Sequence, residues 1–168
     1  MNRSAAALTL ALLVSSSVDG AAQRRSNTSG APGQPLTVSV RLDGKAHEST
    51  GAGSCKHTPA ASIYDIPAAL WMIEYRNPAA REMKQLNLTL WRPKDGSPDQ
   101  ISLAFEAGSS SYRISSGGRA QPAGKAKVKV SPSGSGARFE VKGKDAEGRK
   151  VEVMVTCPAL AGVEAEGG

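Results

Sequence analysis

Between Leu36 and Val155 apolar residues return at every second position, in short runs broken by turn residues, and this two-residue period is what most limits the fold. Leu36, Val38, Val40 and Leu42 alternate with Thr37, Ser39 and Arg41 as far as Asp43-Gly44, a pair suited to a tight hairpin. Trp71, Ile73 and Tyr75 form the next clear run, closed by Asn77-Pro78. Leu86, Leu88 and Leu90 follow, an alternation that assigns Trp91 to the outer face or a strand end. Ile101, Leu103 and Phe105 come after the turn-rich stretch from Pro93 to Pro98, and a shorter run spans Tyr112 to Ile114. Ala126, Val128 and Val130, then Phe139 and Val141, then Val151, Val153 and Val155 complete the set.

Roughly eight short strands, with no stretch of 3.6 period longer than two turns, predict an all-β domain: an antiparallel sandwich or barrel. The 18 Gly and 10 Pro fit a chain with many turns. At most one short helix is allowed, over Pro78 to Gln85, where Ala79, Ala80, Glu82, Met83 and Lys84 are good helix formers and Pro78 suits a first turn. No fixed repeat indicates a solenoid or propeller.

The N-terminus carries a different signal. Arg3 precedes an apolar stretch of ten residues, Ala5 to Val14, too short for the roughly 20 that span a bilayer. Small residues at Gly20-Ala21-Ala22 place a cleavage site before Gln23, so residues 1–22 read as a secretory signal peptide. No cysteine near this stretch offers a lipid anchor, and no second apolar run approaches spanning length. Residues 23–35 read as a flexible lead-in, 36–158 as the β domain and 159–168 as a flexible tail. Cleavage removes Arg3 and Asp19, one charge of each sign, so the secreted or periplasmic product keeps the formal net charge of +6.

Cys55 and Cys157 are the two cysteines, and in an oxidising compartment an even count reads as a disulfide. Closing a loop of about 100 residues constrains the unfolded chain by roughly 4.7 kcal/mol in the chain-entropy model. The competing use of Cys55 is a metal site with His47 and His57, but a structural zinc needs four ligands and no second cysteine lies close. No metal and no cofactor is expected.

Catalytic motifs are missing from the sequence: there is no Gly-x-Ser-x-Gly elbow, no His-Glu-x-x-His and no Gly-rich phosphate loop. Both histidines flank Cys55 in a Ser/Thr/Gly-rich segment that reads as loop. The carboxylate pairs Asp95 with Asp99 and Asp145 with Glu147 fall in turns, where solvated surface charge is expected. The expectation is therefore a non-enzymatic binding or envelope-associated domain. The alternative is a small secreted hydrolase, or a hydrolase inhibitor using the segment from Thr58 to Pro67 as an exposed insertion loop.

Charge offers the best candidate for binding. Lys125, Lys127 and Lys129 project to one face of a strand, about 7 Å from one to the next, and Arg138, Lys142, Lys144, Arg149 and Lys150 come from strands or turns that follow, so a basic surface forms if those strands pair as hairpins. Such a face suits an acidic envelope polymer, or another exported protein. Outside the cytoplasm the available polyanions are envelope glycopolymers, lipid head groups and released nucleic acid; few interleaved aromatics favour backbone or phosphate attraction over base stacking, and nucleic acid is not the expected partner. Against this stands the use of lysines to protect an edge strand, with Glu140 and Glu152 interrupting the patch.

Asp43-Gly44-Lys45, then Thr50-Gly51, then Cys55, together with Val153, Val155 and Thr156 before Cys157, resemble the segments around the two cysteines of mycobacterial lipoprotein antigens of the LpqH type. The resemblance implies a small β-rich envelope domain closed by one disulfide, from a family of surface antigens rather than enzymes. This chain lacks the lipidated cysteine of that family, so its membrane anchoring does not carry over. The region from Ile63 to Trp91 has no counterpart in the resemblance.

Overall fold

A computed structural model describes residues 33–118 and 121–163; the segment read as a signal peptide, most of the one read as a lead-in and the end of the one read as a tail lie outside the described residues. The chain is all-β. Its strands are β1 (Gln34–Leu42), β2 (Lys45–Ile63), β3 (Ile66–Arg76), β4 (Met83–Pro93) and β5 (Gln100–Ala107), followed by β6 (Ser110–Ser116), β7 (Lys125–Ser133), β8 (Gly136–Lys144), β9 (Lys150–Cys157) and the short β10 (Ala161–Gly162). Nine of them form one sheet in the order β6-β5-β4-β3-β2-β1-β9-β8-β7, every pair antiparallel. Every pairing along this order joins strands consecutive in the chain, except that of β1 with β9. The edges, β6 and β7, are themselves consecutive, and one bridge between Ser115 and Ala123 connects them. The sheet thus curls into a nearly closed barrel with a seam between β6 and β7.

The inward set is largely the alternation seen in the sequence: Leu36, Val38 and Val40, Leu86, Leu88 and Leu90, Leu103, Phe139 and Val155 are buried in one cluster. Burying a side chain of this size is worth about 1.5–3 kcal/mol each before the entropy of ordering the chain is set against it. Asp43 and Gly44, both at positive φ (46° and 87°), make the two-residue β1–β2 turn where their order in the chain placed one.

β2 was not expected. Residues 45–63, read as loop, form a single strand paired with β1 and then β3. Its inward positions are His47, Ser49, Gly51, Gly53, Cys55 and His57, too small or polar to show an apolar alternation. Neighbours fill the space instead. A Cβ on Gly53 would come within 2.4 Å of the Leu36 side chain, and the Tyr75 hydroxyl crosses the gap to donate to Ser49 at 2.6 Å.

The limit of at most one short helix is met with none among the described residues: over 78–85 the Ala80 amide closes a turn on the Asn77 carbonyl at 3.1 Å, and β4 begins at Met83. Two further expectations need correction. The segment from Thr58 to Pro67 is not an insertion loop but the end of the β2–β3 hairpin, turning at Tyr64-Asp65 between the paired Ile63 and Ile66. The first residues of the expected tail are anchored. Leu160 packs against the core, its amide donates to the Ser135 carbonyl at 3.0 Å, and β10 pairs in parallel with Lys56 and His57 of β2. β1 ceases to pair with β2 at Gly53, so β10 takes up the edge that β1 leaves.

Cys55 and Cys157 are joined, with their Cα atoms 6.1 Å apart and both side chains buried. The bridge ties β2 to β9 on either side of β1, near the point where the ladder between β1 and β2 runs out.

Candidate functional site

Each lysine singled out in the sequence lies on the outer face of the sheet. Lys125, Lys127 and Lys129 of β7 are exposed, while Ala126, Val128 and Val130 turn toward the core. Register then builds a surface from neighbouring strands. Lys125 pairs with Lys144, which pairs with Lys150; Lys127 pairs with Lys142, which pairs with Glu152, which pairs with Arg41. Side chains directly opposite on adjacent strands lie about 4.5–5.5 Å apart at Cβ. The first row is therefore lysine beside lysine beside lysine, with no carboxylate in it. Lys129 pairs with Glu140, which also lies 3.4 Å from Arg138 Nε, and Glu152 stands in the Lys127 row, so two acids interrupt the face beyond the first row.

Edge protection accounts for lysines on β7 only. Lys142, Lys144 and Lys150 sit on β8 and β9, whose backbones are paired on both sides, so they block no edge. Lys125, Lys127 and Lys142 also border a groove of about 490 Å³ along the seam, together with Pro98, Asp99 and Ser116.

The histidines, Cys55 and the turn carboxylates do other things. Cys55 is in the disulfide; His47 lies 3.3 Å from Glu82, and His57 stacks on Trp71 at 4.5 Å between ring centroids. His57 Nδ1 is 2.9 Å from the Leu70 carbonyl, so that nitrogen carries the proton and donates it. Among the described residues no three His, Cys, Asp or Glu side chains gather as a metal would require.

Asp145 and Asp99, taken as solvated turn charges, are latches on the seam. Asp145 is 2% exposed and accepts hydrogen bonds from the Glu147 and Arg149 amides at 3.1 and 2.8 Å and from Arg149 Nε at 2.6 Å. Burial raises its pKa, and the Arg149 and Glu147 hydrogen bonds with the Arg149 charge more than offset this, holding it below the ordinary carboxylate value. Asp99 accepts two hydrogen bonds from Arg92 Nε and one from its Nη2, at 2.8 to 3.3 Å, which raises the Arg92 pKa further. Arg92 Nη2 also reaches the Val128 carbonyl of β7 at 3.4 Å, so this pair ties β4 and β5 across to the opposite edge strand. Both pairs are local in sequence, Arg149 four residues after Asp145 and Arg92 seven before Asp99; what the curl of the sheet adds is the reach of each arginine across the seam, to the Ser111 and Val128 carbonyls.

No family model, no curated protein and no solved structure matches this chain. Among the described residues no helix is long and apolar enough to cross a membrane.

Proposed function

We propose that this chain is an exported, non-enzymatic binding domain that docks on an acidic polymer through the outer face of β7, β8 and β9. The observation that carries the reading is the row Lys125, Lys144 and Lys150, like charges held side by side across three strands. Cross-strand pairs of like charge destabilise a sheet. A face that carries Lys144 and Lys150 on strands behind the edge strand has its gain in a partner that supplies the missing anions, and a repeating acidic polymer supplies them at close spacing. Export is supported by the N-terminal segment and by the disulfide, which persists in oxidising compartments. The likeness to envelope lipoprotein antigens points the same way.

The test uses heparin and poly-glutamate as probes, with the protein as purified and with Lys125, Lys127, Lys142 and Lys144 all changed to Gln. Wild type is expected to bind with an affinity that falls steeply with salt, and the variant to bind more weakly with a shallower slope. The variant should also melt at a higher temperature in low salt, because its paired strands no longer repel. Equal binding and equal slope for the two proteins would remove the reading.

A further inference from the structure

A second cleft lies on the outer face of β4, β5 and β6. The ladder between β3 and β4 ends at Ala68 and Pro93, so the tip of the β2–β3 hairpin overhangs β4. A register shift between Thr58 and Ala61 marks the bulge at which that hairpin departs from regular pairing. Its tip residues Ile63 and Tyr64 form one wall of a cleft of about 240 Å³, and Ser116 to Gly118 form the other. Register lays out the floor. Thr89, Ser102 and Ser115 are successive cross-strand partners, and Trp91 and Gln100 are partners in the next row. Leu88, Leu90, Ile101 and Leu103 are buried in the core, so these intervening side chains turn outward.

We propose that this cleft seats a pyranose unit of a glycan. A pyranose has an apolar C–H face and a rim of hydroxyls that both donate and accept. The Trp91 ring offers a flat apolar surface for the first, and the row Thr89, Ser102 and Ser115 with the Gln100 amide offers partners of both kinds for the second. Among the described residues no charged side chain lines this cleft, whereas Asp99, Lys125, Lys127 and Lys142 border the seam groove. That described lining suits a polar, uncharged group. The volume is below the roughly 300–1,000 Å³ of clefts that bury whole drug-sized ligands, which suits one ring of a longer chain.

The hairpin tip supports the assignment. Tyr64 and Asp65 both have positive φ (52° and 66°), which bulky L residues rarely adopt. Asn or Gly would take this turn with less strain. Tyr64 is nonetheless there, and at 45% it is the exposed large apolar side chain among the described residues. Strained backbone at the wall of a cleft is a recurring mark of a ligand site. Ser116 and Gly117 also border the seam groove with Lys125, Lys127 and Lys142, so a glycan leaving the cleft along that edge meets the lysines. The cleft does not depend on them.

Calorimetric titration of the full chain with maltohexaose, cellohexaose and α-mannohexaose, at low and high salt, tests the proposal, with oligo-thymidylate as a competing aromatic ligand. At least one hexasaccharide is expected to bind with an affinity that salt changes less than about twofold, since no counterions are released. Trp91→Ala should weaken it by about tenfold or more, a loss of about 1.4 kcal/mol. Thr89→Val with Ser102→Ala, which keeps shape and removes hydroxyls, should weaken it too, while Trp71→Phe should leave it unchanged. The proposal is overturned if no hexasaccharide binds, if both cleft variants bind as wild type does, or if oligo-thymidylate alone binds. Loss of heparin binding in the lysine variant with hexasaccharide binding retained would separate this site from the basic face.

Discussion

Arg149 covers Tyr112, its guanidinium carbon 4.2 Å from the ring centroid, and the two residues belong to opposite sides of the seam. Arg149 ends the β8–β9 turn; Tyr112 is on β6 and stacks in turn on Phe105 of β5 at 4.8 Å. The same guanidinium is held from below by Asp145 and reaches the Ser111 carbonyl at 3.4 Å. Arg92 does the corresponding work between β4, β5 and β7. Where backbone pairing reduces to one bridge, two arginines complete the closure, and the lysine face and the cleft on β4 to β6 are brought to share an edge.

Removing the Asp145 carboxylate should loosen that closure. Asp145→Ala leaves the Glu147 and Arg149 amides and the Arg149 guanidinium without their acceptor, for a cost of about 2 kcal/mol in urea unfolding. Asp95→Ala, in an exposed turn where the carboxylate accepts only from Ser97, should cost far less. Equal losses for the two variants would mean that Asp145 contributes no more than a surface turn residue.

The same carboxylate predicts a response to acid. Its folded pKa lies below its unfolded one, so the stability it contributes is complete above the unfolded value, about 3.9, and is lost as pH falls through the folded value. Wild type should therefore exceed Asp145→Asn in stability by a constant margin from neutral pH down to about 5, and the two should converge below about 4. Urea melts followed by tryptophan fluorescence across that range measure it. Curves that stay parallel into strong acid would assign the margin to shape rather than charge.

Strands whose inward side chains are large were legible in the sequence, because alternation of Val, Leu and Ile against polar residues is the burial pattern itself. β1, β4, β5 and β9 show this best. β2 was hidden since its inward face is Ser, Gly and His, and what fills the space there, Tyr75 and Leu36, comes from its neighbours. The outward direction of Lys125, Lys127 and Lys129 follows from a period of two; their company with Lys144 and Lys150 depends on register, which one strand's sequence does not carry. Asp145 and Asp99 do have partners close in sequence, Arg149 and Arg92; the reach of those arginines across the seam comes only when the sheet curls. The end of the domain was misplaced for a related reason: Leu160 and β10 gain by covering an edge of β2 that the sequence did not reveal as a strand.

Reduction gives a prediction on the staple. Native protein should titrate no free thiol, as Cys55 and Cys157 are both bridged, and reduction should lower the melting temperature by an amount consistent with a loss of about 2–5 kcal/mol. β10 and Leu160 should be affected first, since they follow Cys157 directly and dock beside Cys55. Hydrogen exchange at Leu160, whose amide donates to Ser135, would report this. Unchanged protection there after reduction would show that β10 holds without the bridge.

The hairpin tip sets stability against binding. Asp65 lies at φ 66° in a two-residue turn, where glycine is free of the Cβ crowding that makes this region costly for other residues. Asp65→Gly should therefore raise stability by about 0.5–1 kcal/mol, the relief of the strained φ outweighing the added freedom of the unfolded chain. Asp43→Gly in the other such turn offers a comparison, because Asp43 at φ 46° is followed by Gly44 and only one residue there is strained, against two at Tyr64-Asp65. The gain at Asp65 should leave hexasaccharide affinity intact, as Tyr64 keeps its place. Tyr64→Asn should relieve strain in the same turn but weaken the sugar, because it removes a wall of the cleft. If Tyr64→Asn binds the hexasaccharides as wild type does, the tyrosine has no part in recognition and its strained backbone needs another cause.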